Sequence, residues 1–193
     1  YCDSCSYCVN AEISKQKEKD ACTRCGSGSL HLAKASEVGN IFDLGTKYAK
    51  DFSFTYKDKE GKDQHPIMGC FGIGISRLMG VIVETFGDEK GLVWPENVAP
   101  FAVHLVALGK AGDEISKTAD ALYADMMKAS VKVLYDDRDL RAGEKFAESD
   151  LLGIPTRVVV GKEAVETSAF EVVDRATGSV EKLSRAKLLS HYG

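Results

Sequence analysis

Beyond Pro100 the hydrophobic pattern alternates strand with helix, and no other feature of the chain limits its fold so closely. "FAVHLVAL" is a continuous apolar run of strand length. Residues 112 to 129 follow it with Ile115, Ala119, Leu122 and Met126 at three- and four-residue steps, one face of a helix. "VKVLY" predicts a strand and "AGEKFAESDLLG" a helix closed by Gly153. "PTRVVVG" and "AFEVVD" predict two more strands, and 181 to 190 a closing helix. Alternation of this kind implies a largely parallel sheet covered by helices.

The pattern changes at "GLVWPENVAP", where Pro95 and Pro100 each disfavour helix for the residue before them. This stretch predicts a domain boundary, with 1–97 on one side and 98–193 on the other. Upstream of it, Ile75, Leu78, Met79, Ile82 and Phe86 recur on one helical face from Ile73 to about Phe86, and Gly87 provides the stop. Residues 31 to 70 read as strands. "DFSFTY" alternates apolar with polar, "KDKEGKDQ" is a charged hairpin tip around Gly61, and "HPIMGC" resumes an extended run, which predicts an antiparallel pair. Residues 1 to 30 are rich in Cys, Ser, Lys and Gly with little periodicity, as in a small knuckle held by something other than a core.

A chain of 193 residues with 44% hydrophobic and 28% charged content can bury a real core. No apolar run approaches the roughly 18 residues of a membrane span and no basic-then-apolar export signal opens the chain, so the expectation is a cytoplasmic protein without membrane attachment. The chain starts at Tyr1 with cysteines at once, which suggests a segment of something longer. A net charge of −4 argues against a general nucleic-acid coat, because nonspecific phosphate binding relies on excess Lys and Arg.

Three stretches carry chemistry. "CDSC" and "CTRC" place Cys2, Cys5, Cys22 and Cys25 at the spacing of a four-thiolate zinc knuckle, since two residues between cysteines let both sulfurs reach one ion. Disulfides or a metal-free knuckle are the competing accounts, and Cys8 is a further thiol close by. In "MGCFGIGISRLMGVI" the glycines relieve crowding where strand meets helix, but they do not explain Arg77, a cation in the first turns of a helix whose dipole disfavours it. An anion held by exposed backbone N–H groups at that end would explain it, and solvent exposure of Arg77 is the alternative. Cys70, between two of the glycines, reads as a small buried wall of a pocket. "DDRDLRAGEKF" follows a predicted parallel strand, where open α/β sheets bind ligands, and carries Arg138, Arg141 and Lys145; a solvated charged loop is the alternative. His31, His65, His104 and His191 are scattered and read as neither bases nor metal ligands.

Taken in order, "EVGNIFDLGTKYAKDF", "IMGCFGIGISRLMGVIVE", "DEKGLVWPENVAPFAVHLV" and "VLYDDRDLRAGEKFAESDLLGIPTRVVVG" resemble the C-terminal part of bacterial-type prolyl-tRNA synthetases, class II aminoacyl-tRNA synthetases, over nearly the whole chain. The resemblance implies an α/β chain. Its first part would belong to an antiparallel-sheet catalytic domain with the knuckle-like segment at its start, and a mixed-sheet anticodon-binding domain would follow. "GCFGIGISR" resembles the third class II motif, within 68–86, whose arginine, here Arg77, would be catalytic and contact the terminal phosphate of ATP. Glu37, Gly39, Asn40, Gly72 and Gly74 would then face ATP and the adenylate, and Gly69, Cys70 and Phe71 the proline pocket. Arg138, Arg141 and Lys145 would meet tRNA(Pro). The knuckle resembles the place where the bacterial editing insertion returns to the catalytic domain.

The implied activity is proline activation with ATP and Mg2+ and transfer to tRNA(Pro), in a homodimeric parent that also holds the first two class II motifs. This polypeptide without them should not charge tRNA. Rival readings are a freestanding tRNA-binding paralogue without catalysis, a threonine- or glycine-specific synthetase of the same subgroup, and a zinc ribbon fused to an unrelated α/β binding domain.

Overall fold

The computed structural model describes residues 1–192, and packing divides them into two bodies, 1–77 and 78 onward. Residues 1–32 of the first body carry no helix and only two isolated bridges, Cys2 with Leu30 and Ala21 with Ser29. Their buried apolar side chains are Cys2, Cys22 and Leu30, with Cys5 and Tyr7 packed alongside.

Strand β1 (Gly39–Gly45) leads into a five-residue helix, α1 (Lys47–Asp51). Strands β2 (Tyr56–Lys57) and β3 (Asp63–Gln64) form a hairpin that turns at Gly61, whose φ of +78° lies in the left-handed region that glycine tolerates. Strand β4 (Met68–Ile73) then pairs antiparallel with β1. The charged hairpin tip is therefore where the sequence puts it, but the partner of β4 is not. Alternation in "DFSFTY" buries no face: Phe52 and Phe54 stay 78% and 62% exposed just after α1, and the ladder that delivers the glycines is built with residues 39–45.

Helix α2 (Ile75–Phe86) begins two residues later than the apolar pattern suggests. Of its apolar face only Ile82 is buried, while Ile75 and Met79 are 81% and 53% exposed. The division between the bodies falls inside this helix, ahead of the proline pair. Residues 88–95 go with the second body because its backbone holds them. Leu92 N–H donates to the Leu151 carbonyl at 3.1 Å, Trp94 N–H to that of Gly153 at 3.0 Å, and Arg175 grips both carboxylate oxygens of Asp88 at 2.7 Å. A 3-10 turn, Glu96–Val98, lies between the two prolines.

The second body continues with β5 (Val103–Ala107), α3 (Glu114–Lys128), β6 (Val133–Asp136), α4 (Ala142–Leu152), β7 (Thr156–Val160), α5 (Lys162–Thr167), β8 (Ala169–Asp174), β9 (Val180–Ser184) and α6 (Arg185–Tyr192). The strands form one sheet in the order β6-β5-β7-β8-β9. The first three are parallel, and β8 and β9 are antiparallel to their neighbours. The sheet is thus mixed, as the family resemblance implies, and not largely parallel as alternation alone suggests. The reason is local: α5 has six residues, too few to carry the chain back across the sheet for another parallel strand, so β8 turns back along β7. Residues 181–184, read from sequence as the start of a helix, belong to the edge strand β9, and the closing helix begins at Arg185.

All five residues of β5 are buried, as expected of a central strand covered on both faces. Val103, Leu105 and Ala107 join Ala119, Leu122 and Met126 of α3 and Val158, Val160, Phe170, Val172 and Leu188 in one core. The opposite face presents His104, whose Nδ1 lies 2.9 Å from the hydroxyl of Ser149 on α4. Asp113 caps α3 by accepting from the Ser116 N–H at 2.7 Å, and Gly153, at φ +69°, ends α4 in the left-handed conformation its sequence position predicts. Among the described residues no helix is long and apolar enough to cross a membrane.

Candidate functional site

The β1–β4 register sets Gly39 opposite Ile73 and Asn40 opposite Gly72, so the glycines of "GCFGIG" and the segment "EVGN" meet at one end of the ladder, against the start of α2. Three bonds fix this meeting. Gly74 N–H donates to the Val38 carbonyl at 2.8 Å, Arg77 Nη1 donates to the Glu37 carbonyl at 2.5 Å, and Asn40 Nδ2 donates to Glu37 Oε1 at 2.7 Å. The result is a cavity of about 190 Å³ whose wall includes Glu37, Gly39, Asn40, Gly72, Gly74 and Arg77. All six residues that the sequence assigns to nucleotide are thereby gathered in one place.

The glycines here are a matter of space. A Cβ on Gly39 would lie 2.9 Å from the Gly72 carbonyl oxygen, and one on Gly72 would lie 2.9 Å from Asn40 Oδ1. Arg77 is exposed, forms no ion pair among the described residues, and spends one of its five N–H donors on the Glu37 carbonyl. A guanidinium with donors to spare beside the opening turn of a helix suits an anionic ligand. The same cavity is lined by Glu37 and Asn40, whose carboxylate and amide suit hydroxyl or amino groups. The part of the site that sequence could not supply is backbone: the carbonyls of Glu37 and Val38 do the bridging, and a carbonyl has no letter of its own.

Gly69, Cys70 and Phe71 lie further along β4 and do not line this cavity. The expectation that Cys70 is a buried wall is corrected: it is exposed, directly across from Phe42, because nothing in the described residues covers that face of the two-stranded ladder.

The three basic residues after β6 have three different environments. Arg138 Nε and Nη2 bind the two carboxylate oxygens of Asp136 at 2.9 Å each, and Nη2 also reaches Glu148 at 2.6 Å. These hydrogen bonds hold the buried Asp136 carboxyl down to about 2. Arg141 is exposed with its side chain free of hydrogen bonds among the described residues, while its backbone N–H donates to Glu144 at the start of α4. Lys145 is 1% exposed; its Nζ donates to the carbonyls of Ala107 at 2.7 Å and Asp136 at 3.2 Å and lies 3.5 Å from Asp136 Oδ1. Its reading as a tRNA contact is therefore corrected. The first inward turn of α4 points this side chain at the carboxyl ends of β5 and β6, where it satisfies strand-end carbonyls.

The four knuckle cysteines also converge. Their sulfurs all lie within 4.8 Å of one another, Cys8 is not among them, and no disulfide is present. Backbone N–H groups of Gly28 and Ser27 hold the Cys25 thiol down to about 6.

Comparison with known proteins finds two family models, one for each end of the chain. The family model for the tRNA synthetase class II core domain (G, H, P, S and T) matches residues 8–86, and that for the anticodon binding domain matches residues 102–191. A proline–tRNA ligase of Geobacillus sp. (strain WCH70) is 49% identical over 164 residues, 85% of this chain and 29% of the relative. One from Staphylococcus aureus (strain COL) is 49% identical over 158 residues, 82% of this chain and 28% of the relative. The chain thus spans under a third of the length of these curated relatives. Among solved structures, a prolyl-tRNA synthetase from Cryptosporidium parvum complexed with halofuginone and AMPPNP aligns with a TM-score of 0.66 and 27% identity, covering 80% of this chain and 32% of that one. The enzyme from the same organism complexed with L-proline and AMP aligns with a TM-score of 0.64 and 26% identity, covering 80% and 34%.

Proposed function

The chain belongs to the prolyl-tRNA synthetase family, and from that premise we propose that it supplies two working parts of a cytoplasmic, homodimeric proline–tRNA ligase: one wall of the ATP and proline site, and the surface that holds the anticodon stem of tRNA(Pro). The observation that carries the reading is the gathering of Glu37, Gly39, Asn40, Gly72, Gly74 and Arg77 around a single cavity.

In the proposed reaction a carboxylate oxygen of proline attacks the α-phosphorus of ATP, the bond to the bridging oxygen breaks, and pyrophosphate leaves. A terminal ribose hydroxyl of the tRNA then attacks the adenylate carbonyl, and AMP leaves. Arg77 holds the terminal phosphate and offsets the charge that develops on the departing pyrophosphate. The missing Cβ atoms at Gly39 and Gly72 let the Gly72 carbonyl and the Asn40 side chain close up in the cavity wall, and Glu37 with Asn40 receives the polar groups of the adenylate. Mg2+ bound with ATP would neutralise phosphate charge. Gly69, Cys70 and Phe71, next along β4, would extend the wall toward proline. In the second body Arg141, free and exposed at the start of α4, is the first candidate to touch tRNA, with Arg138 behind it, and the proline pair at 95–100 would mark the join between the two domains.

The test is ATP–pyrophosphate exchange by the protein that joins this chain to a complete class II core. Exchange driven by proline, and neither by threonine nor by glycine, supports the reading. Exchange driven by either of the other two, or by none, overturns it.

A further inference from the structure

We infer that Cys2, Cys5, Cys22 and Cys25 bind one Zn2+ as a closed four-thiolate centre, and that this ion, rather than side-chain packing, folds residues 1–32. The inference stands on the thiols and owes nothing to the catalytic reading above. Its first support is metric. A tetrahedral ion with metal–sulfur bonds of about 2.3 Å places its sulfurs about 3.8 Å apart. Cys2 and Cys25 stand 3.7 Å apart, and Cys5 and Cys22 3.8 Å. Both close pairs run between the two C-x-x-C turns, which is how two turns clasp one ion. A disulfide requires about 2.05 Å, and none is formed.

The second support is what surrounds the sulfurs. Each turn aims one backbone N–H at a sulfur, Ser4 at Cys2 and Gly28 at Cys25, both at 3.4 Å, as a thiolate requires of its neighbours. Gly28 passes so close that a Cβ there would lie 2.5 Å from Cys2 Sγ and 2.8 Å from Asp3 Oδ1. Asp3 in turn accepts from the N–H of Ser29 at 3.0 Å, tying the segment after the second turn to the first.

The third support is energetic. Three buried apolar side chains, two of them the cysteines themselves, cannot offset the backbone entropy lost in ordering some thirty residues. A structural zinc ion supplies the missing folding free energy of such knuckles, because the site does not exist in the unfolded chain. Four protein sulfurs leave no open position for water or substrate, so the ion is structural. The all-sulfur donor set rejects Mg2+ and Ca2+. Zn2+ is favoured over iron because Cys25 is exposed and Cys5 half-buried, which would leave a redox-active centre open to oxidation.

The experiment is metal analysis and cobalt titration of the chain purified without chelator. The expected result is one zinc per chain, and Co2+ substitution giving the intense thiolate-to-cobalt absorption and visible bands of a tetrahedral four-sulfur site. Cys8→Ser keeps both signals; Cys5→Ser and Cys22→Ser lose them. Should those two variants fail to accumulate, amide hydrogen exchange of the wild-type chain before and after zinc removal reads the same claim: protection over residues 1–32 collapses while that of the sheet after Pro100 persists. Less than about a tenth of an equivalent of zinc both as purified and after zinc addition would overturn the inference. So would a site filled by iron, equal loss of metal in Cys8→Ser, or unchanged protection on removal.

Discussion

Arg77 donates to the backbone carbonyl of Glu37, 40 residues earlier in the chain, and the bond ties the first turn of α2 to "EVGN" in the wall of one cavity. A bond to a carbonyl does not neutralise the cation, so its charge remains available to a ligand. Arg77→Ala in the protein with a complete catalytic core should lower proline-dependent ATP–pyrophosphate exchange by about 10²- to 10³-fold, the usual effect of losing one well-placed donor. Arg77→Lys should recover little, because an ammonium cannot bind the carbonyl and a phosphate in one plane. The unfolding free energy from urea denaturation should stay within about 0.5 kcal/mol of the parent, since the side chain is exposed. Exchange within threefold of the parent in Arg77→Ala would remove this residue from the mechanism.

Gly39 and Gly72 should differ in what they tolerate. The obstacle to a Cβ at Gly39 is the carbonyl oxygen of Gly72, part of the ladder itself, whereas at Gly72 it is the side-chain oxygen of Asn40, which can rotate away. Gly39→Ala should therefore part the strands and cost about 1–3 kcal/mol, while Gly72→Ala should leave stability nearly unchanged and weaken nucleotide binding by displacing Asn40. Equilibrium denaturation together with ATP titration of both variants separates the two effects. Equal loss of stability would show that the backbone contact does not matter.

The second body is legible where apolar residues mark what is buried: Ala119, Leu122 and Met126 mark one face of α3, and continuous apolar runs mark β5 and β7, whereas β9, exposed at all but Leu183, carries no such mark. The first body was harder for the opposite reason. Ile41, Phe71, Ile73 and Ile75 are all exposed here, so the apolar pattern of β1, β4 and α2 is written for a surface that these residues alone do not complete. The site was readable as residue types, glycines and one arginine. Its bridging atoms, the carbonyls of Glu37 and Val38, were not. Lys145 went the other way, a surface-type residue made internal because two strand ends expose carbonyls at that spot.

The basic loop after β6 yields a separable pair of variants. Arg141→Ala removes an exposed, unbonded guanidinium and keeps the backbone N–H bond to Glu144 that opens α4, so stability should hold. Affinity for tRNA(Pro) should fall, and the slope of log affinity against log salt should drop by about 0.7–0.9, one phosphate contact. Lys145→Ala should do the reverse. With the ammonium gone, the Ala107 and Asp136 carbonyls and the Asp136 carboxylate lose a partner, at a cost of about 3–5 kcal/mol. Filter binding across a salt series, beside urea denaturation, distinguishes them; an unchanged slope in Arg141→Ala would place the contact elsewhere.

Acid should loosen the second body in two steps, and the signs follow from two buried groups on the α4 face of the sheet. Burial holds His104 below its ordinary value of 6.5, the positive charges of Arg157, Arg138 and Lys145 add to this, and Asp136 opposes it. Below pH 6.5 the unfolded chain takes up a proton that the folded one refuses, so stability present above that pH declines as pH falls from 6.5 toward the folded value. Asp136 acts lower down. Its carboxyl, held at about 2 by Arg138 against 3.8 ordinarily, contributes about 2 kcal/mol that is present above pH 3.8 and lost as pH falls to about 2. Urea midpoints measured from pH 8 to pH 3 should therefore slope downward first below 6.5 and again below about 4. His104→Gln should flatten the first decline and leave the second. A first decline of equal size in His104→Gln would mean that the proton goes to some other group.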